Sequence, residues 1–190
     1  ADVSGKGIAA SLLTASLEAL AAGPIHDGVD PETICDRVSH LLFERTPPEK
    51  YATGFLTTFD PANGIVRFCN AGHNPPFLLK AGDVETLGRT GLPLGIIEDT
   101  TWECGRAQLD RGDALVLYTD GAIDAQTTEG DLFGQERLLE AIQASRRSPE
   151  PSAASAQEME QAVLSAIHDF VGDAARFDDL TLMVVTRARS

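Results

Sequence analysis

Three acidic positions sit where an apolar run meets a turn. Asp2 opens the segment Asp2-Val3-Ser4-Gly5-Lys6-Gly7, and Asp120 follows Leu115-Val116-Leu117-Tyr118-Thr119 and precedes Gly121. The pair Asp178-Asp179 immediately precedes Leu180-Thr181-Leu182-Met183. A carboxylate at a strand end beside glycine can reach into a shared crevice. Carboxylates without His or Cys neighbours suit Mg²⁺ or Mn²⁺, hard cations that keep several of their waters. Asp124 lies four residues after Asp120. A turn or helix start between them would let both face one ion, and a solvated carboxylate is the alternative. Each acid also has a plain structural reading, because Asp before Gly is ordinary turn chemistry and Asp before a strand is often a cap.

The remaining chemistry-bearing residues are less directive. Lys6 is followed by Gly7, so the glycine-rich turn lacks the Ser/Thr that a phosphate loop places after its lysine. A glycine-rich turn feeding a helix N-terminus can still present N–H groups to an anion. In Asn70-Ala71-Gly72-His73-Asn74-Pro75-Pro76, His73 reads as a general acid, as a substrate contact, or as part of a tight turn whose polar side chains satisfy the backbone. His26, His40 and His168 are scattered and read as structural. Ser4 and Ser11 carry no cue for a catalytic triad. Cys35, Cys69 and Cys104 are odd in number and far apart, which predicts buried free thiols and a reducing cytoplasm rather than a zinc site or disulfide framework.

The elements that must position these groups follow from pattern. Helices are predicted over 8–22, ended by Gly23-Pro24, and over 31–45, with Asp30 as cap and Pro31 at the first position. Ile34, Val38, Leu41 and Leu42 fall on one face of the second. Strands over 52–59 and 65–70 flank Asp60-Pro61-Ala62-Asn63-Gly64, a strong hairpin turn. Strands over 76–80 and 84–87, and over 102–109 and 114–119, suggest two further hairpins. Helices return over 135–145 and 156–171, with a Ser/Pro/Ala-rich mobile loop over 146–155 between them, and a strand over 180–186 follows. Hairpins mean antiparallel pairing, and the succession of helices, strands, helices and a strand predicts an α+β fold.

The chain has 190 residues, with 43% in the apolar class and 17 Gly, which fits one globular domain with a sizeable core. Its 15 Lys+Arg against 29 Asp+Glu give a charge of −14. That balance argues against nucleic acid or an anionic membrane surface as the partner. The longest uncharged apolar run, over 7–17, reads as too short to span a bilayer.

Six segments, in order, resemble the bacterial PPM-type (PP2C-like) serine/threonine phosphatases, in the branch that contains SpoIIE and RsbU. They are Asp2-Val3-Ser4-Gly5-Lys6-Gly7, Asn70 through Pro76, Gly91-Leu92-Pro93-Leu94-Gly95, Tyr118-Thr119-Asp120-Gly121, Phe133-Gly134 and Asp178-Asp179-Leu180-Thr181. Each is weak alone; six in register over residues 2 to 186 are specific. The resemblance implies an α/β/β/α sandwich of two antiparallel sheets flanked by helices. It also implies two Mn²⁺ or Mg²⁺ ions that activate a water for in-line attack on a phosphoserine or phosphothreonine ester.

By the same resemblance, Asp2 bridges both ions, the Val3 carbonyl adds a ligand, and Asp120 and Asp178 hold the other ion. Asp124 matches a position that helps bind a third, and Asp178 is preferred to Asp179. Relatives begin roughly 40 residues earlier, with strands that include another acidic ligand. The expectation is therefore an N-terminally truncated domain with its first strands missing and an incomplete metal site. The implied partners are a phosphorylated STAS-domain anti-sigma-factor antagonist and an upstream sensor domain, with no nucleic acid and no membrane contact by this domain. The helix over 8–22 reads as a core helix, or as a switch or homodimer element. A non-catalytic binding module on the same scaffold is the competing reading.

Overall fold

The computed structural model describes residues 1–5, 7–47, 49–146, 156–174 and 179–188. The element order is β1 (Asp2–Val3), α1 (Ile8–His26), α2 (Pro31–Arg45), β2 (Ala52–Asp60), β3 (Ile65–Ala71), β4 (Phe77–Lys80), β5 (Asp83–Thr86), β6 (Gly105–Gln108), β7 (Ala114–Tyr118), α3 (Asp120–Ile123), α4 (Gly134–Ser145), α5 (Ala156–Val171) and β8 (Leu182–Thr186). Among the described residues these form two antiparallel four-stranded sheets with helices, the α+β class that the pattern predicts. They fall into two compact units, Ala1–Pro75 with Leu87–Gln108, and Pro76–Thr86 with Leu109–Ser190. The loop predicted over 146–155 lies outside the described residues except for Arg146.

The first unit holds the sheet β1-β2-β3-β6 with α1 and α2. The β2–β3 hairpin forms as expected, pairing Gly54 with Ala71 through Asp60 with Ile65. Its turn is built by the Asp60 carboxylate, whose Oδ1 accepts the Ala62 N–H at 2.9 Å, and by Gly64 at φ 78°. Helix α2 presents Ile34, Val38 and Leu42 to a core that includes Cys35, Cys69, Ala71, Leu94 and Trp102. Each such buried apolar side chain contributes about 1.5–3 kcal/mol. Asp30 stands at the N-cap but its carboxylate caps nothing. It pairs instead with the Arg67 guanidinium on β3, whose other arm holds Glu32 at 3.2 Å. A charge-assisted partner outbids the backbone N–H.

Helix α1 runs past the predicted stop, through Gly23 and Pro24 to His26. Pro24 sits in the last turn, where it lacks one N–H but still offers its carbonyl. Val29 donates to that carbonyl at 3.0 Å and Asp27 donates to Gly23 at 3.0 Å, so the end is closed. The longer helix is, by length and composition alone, apolar enough to cross a membrane, with a mean hydropathy of 1.5. Leu13 and Leu17 go into the core, whereas Ile8, Leu12 and Ile25 are exposed.

The second unit holds the sheet β5-β4-β7-β8 with α3, α4 and α5. The β4–β5 hairpin forms as expected. The third hairpin does not: β6 pairs with β3, and β7 pairs with β4 and β8. The turn at Asp110–Asp113 is real, with Asp113 Oδ2 accepting the Asp110 N–H at 2.9 Å, but it joins strands of different sheets. The predicted strand over 102–109 also shortens to Gly105–Gln108. Trp102 leaves the ladder to donate its Nε1–H to the Leu92 carbonyl at 2.9 Å. Met159, Val163 and Ile167 of α5 lie four residues apart and pack with Leu138 and Ile142 of α4 in one buried cluster.

Candidate functional site

In the first unit, Asp2 is exposed on the two-residue strand β1 and Val3 is buried beside it. The register sets Asp2 opposite Thr53 and Val3 opposite Ala52. The chain after Val3 is tied back to the residues before β2. Ser4 N–H donates to the Tyr51 carbonyl at 2.9 Å, and Tyr51 N–H donates to Ser4 Oγ at 3.0 Å. The Lys50 ammonium donates to the Ser4 carbonyl at 3.3 Å. Gly5 has φ +89°, a backbone conformation that favours glycine, and a Cβ there would displace the Lys50 ammonium 2.7 Å away. This places one cation against the segment that carries Asp2.

The segment from Asn70 to Pro76 sits in the same unit. Asn70 is fully buried and fully used. Its Oδ1 accepts the His73 N–H at 2.8 Å, its Nδ2 donates to the Leu87 carbonyl at 3.1 Å, and its N–H donates to Thr90 Oγ1 at 2.9 Å. The tight-turn reading therefore holds for Asn70. The His73 ring does something else: its Nδ1 lies 3.0 Å from Thr53 Oγ1. His73 is 6% exposed, and burial pushes its pKa down to about 4, so the ring is neutral. Nothing in the sequence signalled Thr53, because its partner lies 20 residues away and its own strand pattern is ordinary.

In the second unit, Asp120 begins α3, a single helical turn, and Asp124 closes it with its N–H on the Asp120 carbonyl at 2.8 Å. The helix start that would bring these two acids one turn apart is thus present. Thr119 clamps the segment from the other side. Its N–H donates to the Thr181 carbonyl at 3.1 Å, its hydroxyl donates to the Asp179 carbonyl at 3.2 Å, and Thr181 N–H returns to Thr119 Oγ1 at 2.9 Å. Gly121 lies so close to this strand that a Cβ there would stand 2.3 Å from the Asp179 carbonyl oxygen. Asp120 and the Asp179 backbone therefore converge. Asp178 lies outside the described residues.

Among the described residues, no three of His, Cys, Asp and Glu gather into one cluster that could hold an ion. Asp2 and Asp120 belong to different units. Each unit offers oxygen donors of the kind a hard divalent cation takes: the Asp2 carboxylate and Val3 carbonyl in one, the Asp120 and Asp124 carboxylates in the other. The crowding at Gly121 adds a geometric reason, since it brings the start of α3 against the residue next to Asp178.

The other motif segments do positional work. Gly91 leaves room for Trp102, whose ring a Cβ would meet at 2.1 Å, and Leu94 pairs with Ala52 beside β1. Gly95 N–H donates to Ser39 Oγ at 2.9 Å, fixing that loop to α2. Phe133 is buried edge-on against Phe170 at 5.4 Å and its N–H donates to the Ala125 carbonyl at 2.8 Å, closing the loop after α3.

Comparison with known proteins adds to this geometry. The phosphoserine phosphatase RsbU of Bacillus subtilis is 26% identical over 189 residues, covering 98% of this chain and 54% of RsbU. Its relative RsbP is 33% identical over 129 residues, covering 65% of this chain and 32% of RsbP. The chain thus spans about half the length, or less, of these curated relatives. The SiaA-PP2C domain of Pseudomonas aeruginosa superposes with a TM-score of 0.80 at 19% identity, covering 97% of this chain and 72% of that one. The catalytic domain of the phosphatase PstP, solved with 2 manganese ions, superposes with a TM-score of 0.65 at 16% identity, covering 96% and 83%. These likenesses show the PP2C-like fold. The sequence profile of Stage II sporulation protein E (SpoIIE) matches residues 1–188, and the chain belongs to that family.

Proposed function

We propose that this chain is a metal-dependent protein phosphatase that hydrolyses phosphoserine or phosphothreonine on a cytoplasmic regulatory protein, a STAS-domain anti-sigma-factor antagonist. One observation carries the reading: the family match runs over residues 1–188, a span that includes Asp2, Asp120 and Asp178. The relative RsbU, a phosphoserine phosphatase, supports the reaction class. Asp2 and the Val3 carbonyl are assigned to the Mn²⁺ or Mg²⁺ ions, with Asp120 and Asp178 as further ligands and Asp124 as a contributor to a third site. Asp179 is the lesser candidate, because the resemblance sets the first acid of the pair, Asp178, at the ligand position. When bound, such cations supply an activated water and neutralise charge on the transferring phosphoryl group.

The chain's own residues hold that machinery still. Thr119 and Gly121 fix the start of α3 against the strand that follows Asp179, so Asp120 enters at a set angle. The β1–β2 register and the Ser4–Tyr51 bonds set Asp2. A chain of charge −14 repels a dianionic ester, so cations are needed for approach as well as for chemistry. The reading is tested by phosphate release from a phosphoserine STAS protein in Mn²⁺, with Asp120→Asn beside it. Release that EDTA and Asp120→Asn both abolish is expected. Release indifferent to Asp120→Asn, or none in saturating Mn²⁺ from either this chain or a folded chain extended upstream, overturns it in favour of a binding module.

A further inference from the structure

We propose that His73 is a positioning residue for the Asp2 carboxylate, acting through Thr53: His73 Nδ1–H donates to Thr53 Oγ1, and the Thr53 hydroxyl is thereby turned to donate to Asp2. The proposal rests on the reading above that Asp2 holds a cation. Three observations carry it. First, Asp2 and Thr53 are direct partners across the β1–β2 pair. Directly opposed residues place their side chains on one face of the sheet, with Cβ atoms about 4.5–5.5 Å apart. A threonine hydroxyl there is the nearest polar neighbour the strand pairing can offer a carboxylate.

Second, Thr53 does not set its own hydroxyl direction, because Nδ1 of the His73 ring lies 3.0 Å from Thr53 Oγ1. A neutral imidazole carries one N–H, and a hydroxyl that accepts at its oxygen has its proton left to give. With the proton on Nδ1, the chain of donation runs His73 to Thr53 to Asp2, towards the negative charge. The opposite tautomer would spend the Thr53 proton on the ring and leave the carboxylate facing a lone pair.

Third, the His73 ring stands on a platform with little freedom. Asn70 Oδ1 takes the His73 N–H at 2.8 Å, and Asn70 Nδ2 holds the Leu87 carbonyl at 3.1 Å. Between them, Gly72 has φ +72°, and a Cβ there would lie 2.7 Å from Pro93 Cγ. Both Asn70 and His73 are buried, so the donor end of this chain is shielded from competing water. Residues that hydrogen-bond to metal ligands in this way typically change metal affinity by about 10- to 100-fold when removed.

The test reads Mn²⁺ affinity by titration calorimetry, without substrate. Thr53→Val keeps the shape and removes the hydroxyl; Thr53→Ser keeps the hydroxyl. His73→Leu removes the donor, and melting of every variant in EDTA reports its fold. Thr53→Val and His73→Leu are each expected to weaken Mn²⁺ binding by about tenfold or more, and Thr53→Ser to restore it. The double variant Thr53→Val/His73→Leu is expected to be no weaker than the worse single, since both cut one chain. The proposal is overturned if Thr53→Val binds Mn²⁺ like the unsubstituted chain, if only melting changes, or if the two losses multiply. If neither the unsubstituted chain nor one extended upstream binds Mn²⁺, the metal reading itself falls and takes this one with it, so the two failures are told apart.

Discussion

Replacing Gly121 with alanine sets two local effects against each other. Gly121 lies in α3 and outside the left-handed region, so alanine is conformationally welcome there. Helix propensity alone favours Ala over Gly by about 1 kcal/mol. Space opposes it. The new Cβ would stand 2.3 Å from the Asp179 carbonyl oxygen and 2.8 Å from its carbon, and both are backbone. An ordinary carbon–oxygen contact is about 3.3 Å, so the strand must retreat by about 1 Å.

That retreat stretches the three Thr119 bonds to Asp179 and Thr181, now at 3.1, 3.2 and 2.9 Å, beyond bonding range. Overpacking costs about 1–3 kcal/mol and each lost bond about 1 kcal/mol. Crowding wins, and the net loss is about 3–5 kcal/mol. Urea denaturation followed by circular dichroism should show the midpoint fall by about 1.5–2.5 M at unchanged slope. A Gly121→Ala chain as stable as the parent would refute the claim that glycine is there to admit the Asp179 backbone.

Stability should also depend on pH through His73. Its folded pKa is down at about 4 against an ordinary 6.5, so the stabilisation is full above 6.5 and is lost as pH falls towards 4. The shift is worth at most about 3 kcal/mol, and His73→Gln should flatten that part of the profile; equal slopes in parent and variant would refute it. Thiol labelling in the native state should begin at Cys104, which is half-buried. Cys35 and Cys69 are fully buried and hydrogen-bonded to each other, and that bond, with burial, pushes the Cys35 thiol up. Iodoacetamide modification of Cys35 as fast as Cys104, read by mass spectrometry, would refute that ordering.

Where the pattern is local, the sequence was enough. Ile34, Val38 and Leu42 mark the buried face of α2 by spacing alone, and the Asp60 to Gly64 turn marks a hairpin by its own side chains. Where the outcome depends on a distant competitor, it was not. Asp30 has the right type and place for a cap, but Arg67, 37 residues away, takes its carboxylate. The turn at Asp110–Asp113 has the same chemistry whether or not its strands pair, and β6 goes to β3 instead, where Gly105 lies under the Phe68 ring. Helix α3 is one turn long, too short to show a period. Asp2 and Asp120 stood out by type and position, whereas the neighbours that the fold gives them, Thr53 across the β1–β2 pair and Thr119 bonded to the Asp179–Thr181 segment, did not.

The segment from Asn70 to His73 shows why those two classes differ. Its residue types permit both a turn that satisfies itself and a site that reaches outward, and local reasoning must choose between them. The fold divides the labour: Asn70 turns inward and saturates the backbone, which frees the ring of His73 to face another strand. The division depends on Gly72, whose φ of +72° bends the chain between the two, and on Pro93, which leaves no room for a side chain there. Gly72→Ala should therefore lose more than a turn. The strain of a side chain at positive φ and the collision with Pro93 would both push His73 away from Thr53. A Gly72→Ala chain in which the His73 ring resonances and the Mn²⁺ affinity stay unchanged would show that the turn and the contact are independent; coupled changes in both would show that the turn exists to aim the ring.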